Sequence, residues 1–491
     1  MDEVKTFNRN KWFYSTGGIG RDMAYQLFAA YLLTYVMFTK EITDAQFAAI
    51  SIIMIVCRIF DAINDPIMGG IIENTRMKLG KFKPWILIGA LTNAVVMVLY
   101  FSSPLQGWPF VIFFGFMYLL FDITFTMNDI GYWSMLPSLA KDQKQRATLT
   151  SMANLFASIG AIIAFAAIPI LTNGPNAIGG NSITGYLGVA VIIAIIFVAC
   201  QVMTTIFVKE APVSYRPKNE KIGLKAMFQV VFRNDQLLWT SLVMLLYNLG
   251  SSLINVFGII YVYLYFGYDG INITLFVGAY AVGNLLINIV YPYMVKFMTR
   301  KQVATLGLIG VIVGYGFFFL VGVAIPMNYL LLCVAGFILA FGQAMIYMVT
   351  TINLTNCIEY NEYKTGNRDE AIIFSIRPFM AKMASALQQG IVAVAYLAIG
   401  ITAITNGISE AERLNNMGLI DAVEKSEMIE KALALGTEAT KMNFRIIIVV
   451  VPIVLISIAY WIIMKKNKVN EKEYDQMIED INAKKEMNQA E

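Results

Sequence analysis

The chain has 491 residues, of which 58% are hydrophobic and 14% are charged, whereas soluble domains carry about 25% charged residues. Most of the chain must therefore lie in lipid, and neither an enzyme nor a nucleic-acid partner is expected. The net charge of +4 is small, and the chain has no histidine, which removes the commonest proton relay and metal ligand.

Twelve apolar segments follow one another along the chain, each long enough for a bilayer crossing of about 20 residues. We therefore predict an all-α membrane protein with twelve transmembrane helices. The predicted spans are Thr16–Phe38, Asp44–Ile71, Pro84–Ser102, Pro109–Pro137, Thr148–Leu171, Thr184–Phe207, Gln236–Tyr265, Ile273–Met298, Val303–Ile325, Tyr329–Ile358, Ala371–Ile401 and Phe444–Met464.

Lysine and arginine residues are unevenly distributed among the loops between these spans. Basic residues follow every even-numbered span, for example Arg76 and Lys78 after the second and Lys465 and Lys466 after the last. The loops after spans three, five, seven and nine have none. Because basic loops stay on the cytoplasmic side, we predict a multi-pass protein of the cell (inner) membrane with both termini cytoplasmic.

A basic central loop over residues 209–235 separates six predicted spans from six others. This layout predicts two six-helix bundles, residues 1–208 and 236–465, that rock about a central cavity. A cytoplasmic tail follows over residues 466–491. The stretch 402–442 after span eleven carries basic residues among more numerous acidic ones, and we predict a folded or helical excursion on the external side.

Charged side chains inside the apolar segments are the strongest functional signal. A charge at the centre of a bilayer helix costs at least ~2.5 kcal/mol, so it survives where it faces a cavity or a partner. Span one contains Arg21 and Asp22 among small residues. Asp22 can accept hydrogen bonds from ligand hydroxyls while Arg21 neutralises it, although an interfacial charge pair would also explain both.

Span two contains the densest group of such residues, Arg58, Asp61, Asn64 and Asp65. Their spacing of three and four residues places two carboxylates and an amide oxygen on one face of the helix. This face is rich in hard oxygen donors and short of positive charge, which suits a small monovalent cation or a proton. Cation-coupled transport is therefore the first hypothesis.

Span four carries Asp122, Thr126, Asp129 and Trp133 along one stripe of the helix. A carboxylate, a hydroxyl and an indole on a cavity wall suit a sugar, since a pyranose offers hydroxyl edges and an apolar C–H face. The structural alternative assigns Trp133 to the aromatic belt at the membrane surface and Asp122 to helix packing.

Span eleven contains Lys382 in otherwise apolar surroundings. A buried lysine needs a partner to stay charged, and Asp61, Asp65 and Asp129 are the candidates. A lysine that exchanges partners with the cation would couple the two halves. Other polar residues in the spans are interpreted as helix–helix contacts: Asn248, Asn284, Asn288, Gln343 and Asn353.

The sequence contains no phosphate-binding loop, metal-ligand spacing or nucleophile–base constellation. The four cysteines lie in or at the end of different apolar segments without C-x-x-C spacing, so neither a disulfide framework nor a zinc site is predicted. We expect no enzymatic activity and no cofactor, with Na⁺, Li⁺ or H⁺ as the coupling ion.

Four sequence motifs resemble a known group of transporters, and the likeness reaches Lys382. They are RIFDAINDPIMG at 58–69, GKFKPWILIG at 80–89, TMNDIGYWS at 126–134 and EYNEYKTGNR at 359–368. Through them the chain resembles the glycoside–pentoside–hexuronide:cation symporters of the major facilitator fold. The resemblance extends over nearly all twelve predicted spans.

The resemblance implies that span two holds the cation and that spans one and four hold the sugar, with a lysine near the cation site. We accordingly assign the cation to Asp61, Asn64, Asp65, Thr126 and Asp129, with Asp61 and Asp65 as the metal ligands if the ion is Na⁺. We assign the substrate to Arg21, Asp22, Asp129, Trp133 and Asn154. Coupling is assigned to Lys382 and Arg58.

One position departs from the pattern of this group. Galactoside transporters of the family have an arginine in span five, where this chain has Asn154. An amide can still donate and accept hydrogen bonds, but it lacks the bidentate, charge-assisted grip of a guanidinium. The departure argues against a galactoside as the substrate.

The predicted function is secondary active symport of a sugar or glycoside with a monovalent cation across the lipid bilayer. The alternative within transport is a cation-coupled carrier of lysolipids or other amphiphiles with the same fold, for which Asp22 and Trp133 would be harder to explain. A membrane sensor or scaffold is the alternative outside transport, and it would need an output domain.

Overall fold

A computed structural model describes residues 2–140, 143–209, 224–367 and 369–490. Their secondary structure is helical, as predicted, with sixteen α-helices that we number in chain order. The helices are α1 (Asp2–Thr39), α2 (Asp44–Asn74), α3 (Lys83–Phe101), α4 (Gly107–Met135), α5 (Gln143–Thr172), α6 (Ser182–Phe207), α7 (Leu224–Arg233), α8 (Asp235–Phe266), α9 (Gly270–Met294), α10 (Arg300–Leu320), α11 (Tyr329–Thr365), α12 (Glu370–Ile399), α13 (Ile401–Asn416), α14 (Ala422–Ala434), α15 (Glu438–Lys466) and α16 (Glu471–Ala490).

Eleven helices of the described residues are long and apolar enough to cross a membrane. They correspond to eleven of the twelve predicted spans, so the count of twelve is not confirmed by this criterion. Helix α1 contains the remaining predicted span but is not among the eleven, because its charged and tyrosine residues lower its hydropathy. The predicted ninth span was too long, since α10 ends at Leu320 and Gly322 follows with a φ of 90°.

The chain forms two compact units. Unit 1 contains residues 1–221, 262–274 and 393–441, and unit 2 contains 222–261, 275–392 and 442–491. The boundaries predicted in chain order, 208 and 236, stay a prediction. Within the predicted central loop, residues 210–223 lie outside the described residues, and α7 forms most of the remainder.

Helix α1 is the central element of unit 1 and packs along both α5 and α6. Glycines allow the close approach: a Cβ at Gly20 would lie 2.6 Å from the Cα of Phe197, and one at Gly160 would lie 2.3 Å from the carbonyl oxygen of Ile19. Small residues at helix contacts are what close packing in a membrane requires. Backbone contact of this kind fixes the position of α1.

Tyr14 of α1 and Tyr132 of α4 connect these two helices reciprocally. Each phenolic hydroxyl donates to the backbone carbonyl of the other residue at 2.8 Å. The two rings are fully buried and stacked, with centroids 4.3 Å apart. Because both hydroxyls and both carbonyls are satisfied, α1 and α4 are held in a defined register.

Helices α13 and α14 form a hairpin in unit 1, within the stretch for which the sequence predicts a folded or helical excursion. The side chain of Asn406 bonds both backbone groups of Ile42, accepting at 3.0 Å and donating at 2.9 Å. Arg413 forms an ion pair with Glu41 at 2.8 Å. The hairpin is therefore attached to the connection between α1 and α2.

The buried side of the hairpin contains an ion pair. Glu412 is fully buried and accepts hydrogen bonds from the backbone nitrogen and the hydroxyl of Ser182, at 2.9 and 3.0 Å. Lys425 of α14 lies 3.5 Å from the Glu412 carboxylate and donates to the carbonyl of Gly180 at 2.6 Å. Burial raises the pKa of Glu412, and the charge of Lys425 opposes that increase.

We predict that Lys425→Met destabilises the protein more at pH 8 than at pH 5. A carboxyl group whose pKa is raised on folding stabilises the protein below its usual pKa and loses that contribution as the pH rises through the raised value. Removing Lys425 leaves an ionised Glu412 buried without its cation, which costs about 3–5 kcal/mol.

Thermal unfolding of the purified protein at the two pH values measures this difference. Lys431→Met is the control, because Lys431 is exposed on the same helix. Equal losses at pH 5 and pH 8 would contradict the assigned role of the ion pair.

Candidate functional site

A buried arginine organises the first group of candidate residues. The guanidinium of Arg21 lies 2.5 Å from the Asp22 carboxylate and 3.2 Å from that of Asp129. It also stacks over the rings of Tyr132 and Trp133, each at 4.7 Å. Helix α1 thus provides one carboxylate and the cation, and α4 provides the second carboxylate and both rings.

The charges and exposure of this group define what it can bind. Two carboxylates share one guanidinium, so the group carries a formal charge of −1. The Arg21 side chain is 5% exposed, whereas those of Asp22 and Asp129 are 21% and 33% exposed. Carboxylate oxygens that reach solvent beside a half-buried indole can accept hydroxyl hydrogens while the ring covers an apolar face.

Tyr132 explains why this geometry is stable. Its ring stacks on the Tyr14 ring and forms a cation–π contact with the Arg21 guanidinium. A desolvated cation–π contact contributes about 2 kcal/mol. Tyr132 does not stand out in the sequence, because an aromatic residue beside Trp133 is ordinary in a membrane helix.

A second group lies where α2 faces α4. The Thr126 hydroxyl donates to the Asp61 carboxylate at 3.2 Å, and both side chains are buried. Arg58, also buried, has its guanidinium 5.9 Å from the ring of Tyr118 and interacts electrostatically with Asp122 and Asp61. The hydroxyl and the carboxylate provide the hard oxygen atoms that an alkali cation prefers.

The remaining members predicted for the cation site are less buried. Asn64 and Asp65 are half-buried on α2. In the described part of the chain, the side-chain nitrogen of Asn64 is a buried donor without a hydrogen-bond partner. The oxygen of the same amide is the atom that a cation would bind. The Asn64 side chain can therefore ligate an ion through its oxygen while its nitrogen donates to another group.

The structure divides the predicted residues between these two groups. Asp129 was assigned to both cation and substrate, and it lies in the Arg21 group, three residues from Thr126 in the Asp61 group. Asn154 is exposed on α5, and Lys382 is half-buried on α12 of unit 2. The roles of all these residues in binding and coupling stay predictions.

Unit 2 contains a cavity lined mainly by residues with amide or hydroxyl groups, which no single residue of the sequence predicts. Its volume is about 340 Å³, within the range of small-molecule sites. None of its lining residues among the described ones is charged. They are Tyr247, Asn248, Ser251, Ser252, Asn255, Tyr280, Asn284, Tyr347, Ala381, Ala384, Ser385 and Gln388.

The wall of this cavity changes the interpretation of two asparagines. Asn248 and Asn284, which the sequence predicts as helix–helix contacts, also line the cavity. Asn248 belongs to a polar stripe on α8 that continues with Ser251, Ser252 and Asn255, at intervals of three to four residues. This periodicity, rather than any single residue, was the signal available in the sequence.

Residues 13–464 match the family described as MFS/sugar transport protein. The lactose permease of Leuconostoc lactis is 29% identical over 434 residues, which cover 83% of this chain and 66% of that protein. The raffinose carrier protein of Pediococcus pentosaceus is 27% identical over 425 residues, which cover 82% of this chain and 64% of the relative. The chain thus spans about two thirds of the length of these relatives.

A third relative is matched along most of its length. The isoprimeverose transporter of Lactiplantibacillus pentosus is 24% identical over 444 residues, which cover 88% of each chain. Among solved structures, a bacterial homolog of the human lysosomal transporter Spinster has a TM-score of 0.62 at 13% identity, covering 95% of this chain and 98% of the other. The nucleoside transporter NupG has a TM-score of 0.59 at 14% identity, covering 87% and 98%.

Proposed function

Since the chain belongs to the MFS/sugar transport protein family, we propose that it is a secondary active symporter for a sugar or glycoside. In this proposal the inward flow of Na⁺, Li⁺ or H⁺ drives uptake by alternating access. The family is one of transporters and not of enzymes. The likeness to solved transporters supports the predicted major facilitator fold.

The arrangement around Arg21 is the main observation that supports a sugar as the substrate. Asp22 and Asp129 face the same guanidinium from two different helices, beside Trp133. A pyranose can donate hydroxyl hydrogens to the two carboxylates and place a C–H face on the indole. A hydrogen bond to a charged group contributes about 1.5–3 kcal/mol, enough to select a hydroxylated ring.

The cavity of unit 2 has hydrogen-bonding groups that a sugar could use. Ten of its twelve described lining residues carry an amide or a hydroxyl, and the other two are alanines. Amide groups both donate and accept, which matches the alternating needs of neighbouring sugar hydroxyls.

The Asp61 group supports cation coupling. Asp61 and Thr126 provide adjacent oxygen atoms from two helices, and Asp65 lies one turn from Asp61 on α2. A carboxylate within an apolar helix is stable when a cation or a proton compensates it. We assign the coupling ion to the Asp61 group. We also propose that Lys382 exchanges carboxylate partners with this ion.

We predict that Asp22→Asn weakens sugar binding by about 10- to 100-fold, because an amide loses the charge-assisted hydrogen bond. Binding of a labelled sugar to the purified protein measures the change, after a screen of glycosides, pentosides and uronides has identified a substrate. Asp475→Asn, at an exposed position of α16, should leave affinity unchanged. Unaltered affinity in Asp22→Asn would remove Asp22 from the sugar site.

Asn154→Arg is predicted to change which sugars compete, rather than to abolish uptake. The guanidinium would add a bidentate donor for vicinal hydroxyls that the amide cannot provide. Competition profiles against a fixed labelled substrate, before and after substitution, show the effect. The same ranking of sugars in both proteins would place Asn154 outside the pocket.

The sharpest test of symport concerns Asp65. Replacing it by asparagine should remove the dependence of sugar affinity on Na⁺ or pH and stop uphill accumulation, while weak sugar binding and downhill exchange persist. If the two sites are coupled, each ligand strengthens binding of the other by the same factor, typically about 5- to 150-fold.

Sugar binding across a Na⁺ titration at two pH values, in parent and variant, measures this coupling. Glu73→Gln is the matched control, because Glu73 is an exposed carboxylate on the same helix. Full cation dependence in Asp65→Asn would place the coupling site elsewhere.

A further inference from the structure

The cavity of unit 2 contains polar side chains whose hydrogen-bonding groups are not used within the described part of the protein. Asn248 on α8 and both Ser385 and Gln388 on α12 line the cavity. No hydrogen bond joins these three side chains to the described residues, although Gln388 is only 7% exposed. A buried amide is unfavourable without a hydrogen bond, so the wall favours a ligand with hydroxyl groups.

Tyr280 of α9 lines the same cavity, and the direction of its hydroxyl is fixed from behind. The hydroxyl donates to the side-chain oxygen of Gln343 on α11 at 2.5 Å, and Gln343 is 1% exposed. A tyrosine hydroxyl has a single proton to donate. Because Gln343 accepts that proton, the oxygen of Tyr280 can only accept a hydrogen bond from a ligand.

Tyr347 of α11 has the opposite polarity. Its hydroxyl oxygen accepts a hydrogen bond from the guanidinium of Arg377 on α12. An arginine can only donate, so the proton of the Tyr347 hydroxyl stays available to a ligand, and the hydrogen bond from Arg377 polarises it further. The ring of Tyr347 lies 5.8 Å from that of Tyr247, which also lines the cavity. These two rings provide an apolar face beside the hydroxyls.

From these contacts we propose that Tyr280 and Tyr347 select the hydroxyl pattern of the sugar with opposite polarity. Tyr280 accepts from one ring hydroxyl, Tyr347 donates to another, and Gln388 bonds a third. Gln343 and Arg377 are positioning residues, because each sets the direction of one tyrosine hydroxyl. The inference rests on the proposed function, since it assigns a sugar to the cavity of unit 2.

A cysteine in the cavity wall reports whether a sugar enters. Ser385→Cys is introduced into a protein whose native Cys57, Cys200, Cys333 and Cys357 are replaced by alanine. The probes are the methyl glycosides of glucose, galactose and xylose. The best of them, at saturation, should slow the reaction of the purified reporter protein with N-ethylmaleimide at least fivefold, and the concentration that gives half of this protection measures its affinity.

Analogues of that glycoside test the two polarities. A deoxyfluoro analogue replaces one hydroxyl by fluorine, which accepts weakly but cannot donate, whereas a deoxy analogue does neither. At the hydroxyl that faces Tyr280, both analogues should bind about 3- to 10-fold more weakly, and Tyr280→Phe should abolish this loss. At the hydroxyl that faces Tyr347, the fluoro analogue should bind better than the deoxy analogue, and Tyr347→Phe should make the two equal.

Further variants separate positioning from packing. In Gln343→Met the Tyr280 hydroxyl can donate to a ligand, so the fluoro analogue should now bind better than the deoxy analogue at the Tyr280 position. A merely structural role of Gln343 would weaken all analogues alike. Gln388→Leu should weaken protection about 3- to 10-fold. Gln389→Leu is the matched control and should leave protection unchanged, because Gln389 is buried but is not among the described residues that line the cavity.

The outcomes distinguish this inference from the proposed function. If a labelled glycoside binds without protecting the reporter cysteine, or if Tyr280→Phe and Tyr347→Phe leave the ranking of analogues unchanged, the inference is wrong and the sugar stays assigned to the Arg21 group. If protection follows the expected pattern but vesicles with a Na⁺ or pH gradient do not accumulate the glycoside, symport is wrong and the inference stands. Failure of all three glycosides to bind would contradict both.

Discussion

A charged side chain inside an apolar helix must have a partner, and this constraint determines where the candidate site lies. Arg21 is buried and is compensated by Asp22 from its own helix and Asp129 from α4. Arg58 is compensated by Asp122 and Asp61. Each arginine therefore gathers carboxylates that would otherwise be too costly to bury, and α4 contributes a carboxylate to both groups.

Much of the architecture could be predicted because the necessary information is local. Apolar runs of about 20 residues indicate spans, and the ends of α6, α8 and α12 lie within a few residues of their predicted positions. The pairing of Arg21 with Asp22 could also be anticipated, since the two are adjacent in sequence. The spacing along α4 correctly indicated a polar stripe.

The sequence could not predict that the polar stripe of α4 faces two different helices. Thr126 donates a hydrogen bond to Asp61 on α2, whereas Asp129 forms an ion pair with Arg21 on α1. Periodicity gives the face of a helix on which a residue lies, but it does not give the helix that packs against that face. Asp129 is assigned to both the cation and the substrate, and its ion pair with Arg21 places it in the Arg21 group.

The cavity of unit 2 was missed for a different physical reason. An uncharged amide costs much less free energy to bury in a helix bundle than a charge does, and many amides there only form contacts between helices. Asn248 and Asn284 therefore do not stand out individually in the sequence. The docking of the α13–α14 hairpin depends on contacts between residues distant in sequence, such as Glu412 with Ser182. No local pattern specifies such a pair.

The position of the hairpin also affects how the protein is made. Ser182 and Glu412 are 230 residues apart in the chain, so at about 5 to 20 residues per second about 10 to 50 s separate their synthesis. Throughout that interval the start of α6 lacks the carboxylate that accepts its hydrogen bonds. Unit 1, whose first helices are the earliest to leave the ribosome, is therefore among the last parts of the protein to be completed.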